Sequence, residues 1–215
     1  MELDVFAVDE ASVDNITYVI KCKNWSRSVN QSIVHSFTTV MHEVGAHIGF
    51  IVSKRGLQSG AREYIRNTNI EGMTYAQFRQ RYLGAWFSRY FMPTIGHAGD
   101  ALSQYVEPIN SRWFRMEADL APDARAHLRE LQRHYAALGF IAAMFATSRF
   151  MQAFTGEATD VPADFDAIKN QLNEALDGAV VFKAKYLRDL RDELLTIIHT
   201  ATDEFNLIFG RNIFA

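Results

Sequence analysis

Alternating and periodic apolar positions divide the first third of the chain into short strands and helices. Period-two runs rich in β-branched and aromatic residues predict strands, whereas apolar positions three and four apart predict amphipathic helices. The pattern predicts strands at residues 3–8, 16–23 and 46–53 and a last edge strand at 70–74. It predicts helices at residues 32–44 and 59–67. Since a helix between two strands usually makes a right-handed parallel crossover, we expect a mixed sheet with flanking helices.

From residue 75 onward the apolar pattern is helical. Residues 122–154 predict a helical hairpin or one long helix bent near Gly139, residues 156–163 predict a loop, and a long helix begins at Asp164. A stripe of apolar residues at 187–208 indicates either internal core or a dimerisation coil. We therefore predict an α/β domain over residues 1–80, followed by an all-helical domain over residues 81–215.

Composition narrows the classes of function. A net charge of −3 gives no overall basic field, so nucleic-acid binding would need a local patch. The single cysteine, Cys22, cannot form an internal disulfide and favours a reducing compartment, the cytoplasm. The acidic start Met1–Asp4 is unlike a secretory signal, and Arg149 cuts the most apolar window, 135–154, short of a membrane span. We expect no membrane association.

Several common functional motifs are missing from the sequence. It has no Gly-x-x-x-x-Gly-Lys phosphate loop, no cysteine pair and no Gly-x-Ser-x-Gly motif, and its histidines lack the spacing of a zinc site. These absences leave ATPase, zinc-finger and serine-hydrolase functions without support.

Charged residues gather on the first two predicted strands. Asp4 lies on the first strand, and side-chain alternation puts Lys21 and Lys23 on one face of the second. An acid that holds a divalent ion, beside a lysine that orients water, suits metal-assisted phosphodiester hydrolysis. Because Asp and Lys on adjacent strands also form plain surface pairs, the spacing leaves both alternatives open.

The order of these segments resembles the Mrr-like restriction endonuclease family of the PD-(D/E)xK nuclease superfamily. The resemblance covers residues 2 to about 80 and is carried by the stretches Leu-Asp-Val-Phe-Ala, Tyr-Val-Ile-Lys-Cys-Lys-Asn-Trp, Gly-Ala-His-Ile-Gly-Phe-Ile-Val-Ser-Lys and Gly-Leu-Gln-Ser-Gly-Ala. It implies a restriction-endonuclease-like sheet, cleavage of DNA and dependence on Mg²⁺, with Mn²⁺ as an alternative. It also implies that Asp4 binds the metal together with the backbone carbonyl of Cys22, and that Lys23 is the catalytic lysine.

The chain departs from the family pattern at one decisive position. The family motif ends in Glu-Cys-Lys or Gln-Cys-Lys, whereas this chain has Lys21 in place of the acid or amide. An ammonium group a few ångströms from a divalent ion turns attraction into repulsion, worth about 1 kcal/mol per unit charge in water and several times more in a drier site. Glu43, on the following helix, is the first candidate for a replacement acid, ahead of Glu2 and Asp9; the alternative for Glu43 is a solvated surface charge.

A second departure concerns the start of the domain. Family members carry a helix and a strand before the aspartate, whereas only Met1–Leu3 precede Asp4 here. We therefore expect a domain truncated at its start, with an uncovered sheet edge that a homodimer or a partner subunit would cover.

DNA contacts are expected from a local excess of cations between residues 17 and 66, chiefly Lys21, Lys54 and Arg55. Ser53 and Gln58 would contact phosphate if the loop after the strand folds toward the cleft. The alternative is that these are scattered surface charges. The sequence therefore predicts a Mg²⁺-dependent DNA endonuclease, acting in defence against phage or foreign DNA. The alternative is a degenerate homologue that acts as a DNA-binding or oligomerising module.

Overall fold

A computed structural model describes residues 3–109, 111–155, 165–176 and 180–214. The chain forms two compact units, Met1–Tyr82 and Leu83–Ala215, called here the N-terminal and the C-terminal unit.

A four-stranded mixed sheet forms the centre of the N-terminal unit. In spatial order its strands are β1 (Val5–Asp9), β2 (Ile16–Lys23), β3 (Ile48–Ser53) and β4 (Ile70–Thr74). β1 pairs with β2 antiparallel, whereas β2, β3 and β4 run parallel to one another. The parallel crossovers contain helices α1 (Gln31–Glu43) and α2 (Ser59–Ile65). The predicted α/β fold of this part of the chain is confirmed.

Each face of the sheet has its own apolar core, because successive strand residues point to opposite sides. On one face Val19 and Ile51 pack with Phe37 of α1. On the other face Phe50 and Val52 pack near the start of helix α3 (Tyr75–Trp86). Helix α3 begins with a capping box: the N–H of Gln77 donates to the hydroxyl of Thr74 at 3.2 Å, and the Gln77 side chain accepts from the Thr74 N–H at 2.8 Å.

The parallel strands end side by side. Lys23 of β2 is in register with Ser53 of β3, which is in register with Thr74 of β4. We call these three residues the carboxyl edge. Helix α1 starts near this edge, since Val29 bridges to Leu57, and it runs back to the opposite end, where the His47 N–H donates to the Thr17 carbonyl at 3.0 Å. Side chains at the start of α1 and at the strand ends therefore share one side of the unit.

Replacing Gly49 of β3 with Ala is expected to destabilise the protein by about 1–3 kcal/mol, because the interior has no room for a methyl group. A Cβ there would meet the sulfur of Met41 and would lie 2.7 Å from Cε1 of the fully buried Phe37. Chemical denaturation followed by circular dichroism would measure the loss. Gly84→Ala is the matched control: it meets nothing within 4 Å inside α3, so we expect a gain of about 0.5–1 kcal/mol. Equal effects of the two substitutions would contradict this packing.

The regular secondary structure of the C-terminal unit is helical over its described residues. A π-helical segment, Phe87–Phe91, joins α3 to α4 (Met92–Ala98), and α5 (Asp100–Val106), α6 (Ser111–Ala118), α7 (Pro122–Thr155), α8 (Phe165–Ala175) and α9 (Leu187–Phe209) follow. α7 is one long helix, the second of the two predicted alternatives. The predicted loop at 156–163 lies outside the described residues.

The prediction of one long helix from Asp164 is wrong, since α8 and α9 are separate helices. Between them Phe182 is 4% exposed, and its N–H donates to the Asn173 side chain at 3.2 Å. The ring packs into the core and the segment is not helical. The β-branched residues Val180 and Val181 just before it lower its helix propensity.

The apolar stripe of α9 is internal core. Leu190, Leu194, Ile198, Ala201 and Phe205 are fully buried within the C-terminal unit. Tyr105 stacks on Phe205 with ring centroids 4.8 Å apart and donates its hydroxyl to the Asn206 side chain at 2.7 Å. Residues of the same chain therefore cover the stripe, which is internal core and not a dimerisation coil.

Among the described residues, no helix combines the length and the apolar character needed to cross a membrane.

Candidate functional site

An ion pair occupies the place where the sequence predicts a metal. The Lys21 ammonium lies 3.1 Å from Oδ2 of Asp4, and the backbone N–H of Cys22 donates to the same oxygen at 2.8 Å. The antiparallel register, in which Val5 faces Ile20, brings Asp4 next to Lys21. The Lys21 side chain is 7% exposed and that of Asp4 is 36% exposed, so the pair sits at the border between core and solvent.

The surroundings of Asp4 favour its charged form. Burial acts to raise the pKa of its carboxyl group, but the hydrogen bonds from the Cys22 N–H and from Lys21, together with the charges of Lys21 and Lys23, outweigh burial and lower that pKa below its ordinary value of 3.8. Asp4 is therefore a carboxylate at neutral pH, with its charge compensated by protein cations.

Lys23 lies beside an aromatic ring, and its ammonium forms no ion pair within 4.0 Å among the described residues. Its ammonium is 4.8 Å from the centre of the Trp25 ring, and the guanidinium of Arg27 is 5.4 Å from the same ring. Cation–π contacts of this kind orient a cation without neutralising it. The contact between Lys23 and Trp25 was not predicted from the sequence, because spacing alone does not show that the ring lies against the ammonium.

The described residues do not fit a Mg²⁺ site of the predicted kind. Mg²⁺ prefers oxygen ligands in near-octahedral geometry, keeps several of its waters and is usually held by one or two carboxylates. Asp4 already accepts two hydrogen bonds at one oxygen, and one of the two donors is the ammonium of Lys21, a cation that would repel a metal ion. In the part of the chain that the structure describes, no group of three or more His, Cys, Asp and Glu residues lies close enough to hold a metal ion. A role of the Cys22 carbonyl as a ligand stays a prediction.

The geometry bears on two further sequence expectations. Lys21 was expected to contact DNA; its buried ammonium lies beside Asp4, and its contact with DNA stays a prediction. Glu43 was expected to replace the missing acid, but it is the last residue of α1, at the end of that helix away from the carboxyl edge. The structure therefore does not bring Glu43 to Asp4.

A pocket of about 400 Å³ opens at the carboxyl edge. It is lined by Cys22, Lys23, Asn24, Val52, Ser53, Lys54 and Tyr75. Lys54 is exposed and its N–H donates to the Lys23 carbonyl at 3.2 Å, which holds the two lysines at neighbouring strand ends. Arg55 follows in the chain and is also exposed. The structure thus brings Lys23 and Lys54 together at one cavity.

Ser53 carries an unusual buried hydroxyl. The residue is 3% exposed, and its Oγ has no hydrogen-bond partner among the described residues. Buried polar groups are nearly always paired, so an orphaned hydroxyl in a pocket wall is a feature that needs a reason. A serine that ends a strand gives no sequence signal for the missing partner.

The Cys22 thiol is poorly suited to act as a nucleophile. Burial, followed by the neighbouring Asp4 charge, raises the pKa of this thiol above its ordinary value of 9.0, against a smaller opposing effect of Lys21. The thiol is therefore protonated at neutral pH and less reactive than an ordinary cysteine.

Comparison with known proteins bears on the N-terminal unit alone. The family model for Mrr-type restriction endonucleases, described as a restriction endonuclease, matches residues 2–82. The match includes all four strands, Asp4, Lys21 and Lys23. Searches of the curated proteins and of the solved structures gave no significant match.

Proposed function

We propose that the chain, whose residues 2–82 match the family model of Mrr-type restriction endonucleases, binds DNA at its carboxyl edge without Mg²⁺-dependent cleavage. One observation carries the proposal: the Lys21 ammonium lies 3.1 Å from the Asp4 carboxylate that would otherwise hold the metal. A divalent ion at Asp4 would have to displace this ammonium or share the site with it, and like charges at this distance repel strongly.

The ion pair also changes how the site meets a phosphate. A free carboxylate repels a DNA phosphate, and in metal-dependent nucleases the metal overcomes that repulsion. Here Lys21 cancels the charge of Asp4 directly, so Lys23, Lys54 and Arg55 add to a surface with a local positive excess. Such a surface supports DNA binding that needs no metal.

A second candidate function is the Mg²⁺-dependent endonuclease itself, acting on phage or foreign DNA in the cytoplasm. The family match and the position of Lys23 on the same strand face as Lys21 favour it. Homodimerisation or a partner subunit remains a prediction under both candidates.

DNA retention by the full chain is expected to be equal in Mg²⁺ and in EDTA, and to fall steeply with salt, because counterion release drives phosphate binding. Gel-shift titrations with duplex DNA over a salt series would measure both properties. Lys54→Gln is expected to weaken binding about fivefold and to lower the salt slope by about one unit.

Lys185→Gln is the matched control, because it removes the same charge from an exposed lysine of the C-terminal unit. Nicking of supercoiled plasmid in Mg²⁺ but not in EDTA, lost in Lys23→Ala, would contradict the proposal and establish the second candidate.

A further inference from the structure

Two histidines line one cavity of the C-terminal unit, outside the residues that match the nuclease family. The cavity has a volume of about 600 Å³ and opens between helices α4 and α9, and we call it the α4–α9 groove. Its lining residues are Pro93, Thr94, His97, Ala98, Leu195 and His199. Both histidines are exposed, so a solute in the groove can reach their imidazole rings.

A neighbouring contact indicates that the two histidines lie at the same level of the groove. The Arg191 guanidinium donates to the Tyr90 hydroxyl at 2.8 Å, which joins α9 to the π-helical segment before α4. The residues one turn after Tyr90 and after Arg191 line the groove as well, so the two helices run in the same direction here. His97 follows Tyr90 by seven residues and His199 follows Arg191 by eight, and each step is about two helical turns. The two imidazoles therefore stand on opposite walls of the groove at one level.

The chemistry of the groove favours a metal cation. Among the described residues neither imidazole has a hydrogen-bond, ion-pair or ring partner, so the ring nitrogens are available to a ligand. Neutral imidazole suits Zn²⁺, Cu²⁺ and Ni²⁺, whereas Mg²⁺ prefers oxygen ligands. Asp203 is exposed one turn after His199 on α9, and its carboxylate attracts a cation and repels an anion.

We propose that His97 and His199 together bind one divalent transition-metal ion of the class of Zn²⁺, Cu²⁺ and Ni²⁺, with water in the remaining coordination positions. The ion links α4 to α9. The groove has room for these waters, since one water takes up about 30 Å³ of liquid. No spacing motif in the sequence reveals such a pair, because its two members come from helices far apart in the chain.

Isothermal titration of the full chain with Zn²⁺ tests the site. We expect His97→Asn and His199→Asn each to weaken the binding of Zn²⁺ about tenfold or more, because each removes one of the two protein ligands. His127→Asn is the matched control: it alters an exposed histidine of α7 and should bind Zn²⁺ as wild type. Mg²⁺ titrated in place of Zn²⁺ should give no binding that the two groove variants change.

Electron paramagnetic resonance with Cu²⁺ counts the nitrogen ligands directly. The spectrum should show coupling to two imidazole nitrogens in wild type and to one in each groove variant, which a merely structural role of the histidines would not produce. Fewer than two nitrogens in wild type overturn the proposal, whether or not the variants fold.

Thermal unfolding gives an independent measure of the link between the two helices. Zn²⁺ at about ten times its Kd should raise the Tm of wild type by about 3–6 °C, because it binds the folded chain, and should raise that of either groove variant by less. An equal rise in wild type and in both folded variants would mean that the ion binds elsewhere and would overturn the proposal.

Two further results of the titrations would contradict the shared site. A loss of Zn²⁺ affinity in only one of the two groove variants would mean that no ion bridges the helices. Binding of succinate, lost in both variants, with no binding of Zn²⁺ would make the groove an anion site. None of these measurements involves DNA, so their outcome is independent of the proposed DNA-binding function.

Discussion

Lys21→Glu is expected to create Mg²⁺-dependent nicking of supercoiled DNA, at least about a hundredfold above the wild-type rate. The substitution replaces the cation next to Asp4 with glutamate, one of the two residues that the family resemblance implies here, so two carboxylates then face one site. A bound divalent ion contributes several kcal/mol to charge stabilisation in phosphodiester hydrolysis, and each 1.4 kcal/mol is about tenfold in rate. Plasmid nicking in Mg²⁺, Mn²⁺ and EDTA measures the gain.

Two controls connect that gain to the site. Lys21→Met removes the charge without adding an acid and should stay inactive, and the double substitution Lys21→Glu with Lys23→Ala should lose the new activity. Without metal the paired carboxylates repel each other, so Mg²⁺ should raise the Tm of Lys21→Glu and leave that of wild type unchanged. A folded Lys21→Glu protein that neither binds Mg²⁺ nor nicks DNA would show that position 21 does not limit activity.

Asp4→Ala is expected to lower the free energy of unfolding by about 1–3 kcal/mol at pH 7. The substitution removes the carboxylate that lies 3.1 Å from the buried Lys21 ammonium. Breaking a fully buried ion pair costs more than about 1–3 kcal/mol, but the Asp4 side chain is 36% exposed, so the expected loss of stability is smaller. Urea denaturation of both proteins measures the difference. Asp14→Ala, in the exposed turn between β1 and β2, is the control and should change stability by less than about 0.5 kcal/mol.

The same comparison has a defined pH dependence. The pKa of Asp4 is lower in the folded protein than its ordinary value of 3.8, so its contribution to stability is fully present above that value. It is lost as the pH falls through the lower folded pKa. The difference between wild type and Asp4→Ala should therefore be constant from neutral pH down to about pH 5 and shrink below pH 4. A difference that grows on acidification would mean that the carboxylate is not stabilised by its cations.

The strands of the N-terminal unit could be predicted from the sequence because each has a strong local pattern. The predicted segment 16–23 coincides with β2, and 70–74 with β4. The shared face of Lys21 and Lys23 follows from alternation alone. The partner of Lys21 does not, because Asp4 reaches it only through the antiparallel register of β1 and β2, which is a property of two segments together.

Non-local packing also explains what the sequence did not reveal elsewhere. The break between α8 and α9 depends on the packing of Phe182 in the core, and the neighbouring residues give no local signal for that packing. The pocket at the carboxyl edge needs the ends of β2 and β3 and the start of α3, residues far apart in the chain. Phosphate contacts at Ser53 and Lys54 stay predictions from the sequence, whereas the buried, unpaired state of the Ser53 hydroxyl could not be predicted from it.

The ion pair between Lys21 and Asp4 has a genetic consequence. Lysine and glutamate codons differ only in their first base, A against G, so one transition in codon 21 would replace the ammonium with a carboxylate. A pool of cells expressing randomly mutated copies of this gene thus contains that variant at high frequency. If the Lys21→Glu protein cleaves the host chromosome, cells that carry a glutamate codon at position 21 should be depleted among the survivors. Sequencing the surviving pool would then measure the effect of one side-chain charge on activity.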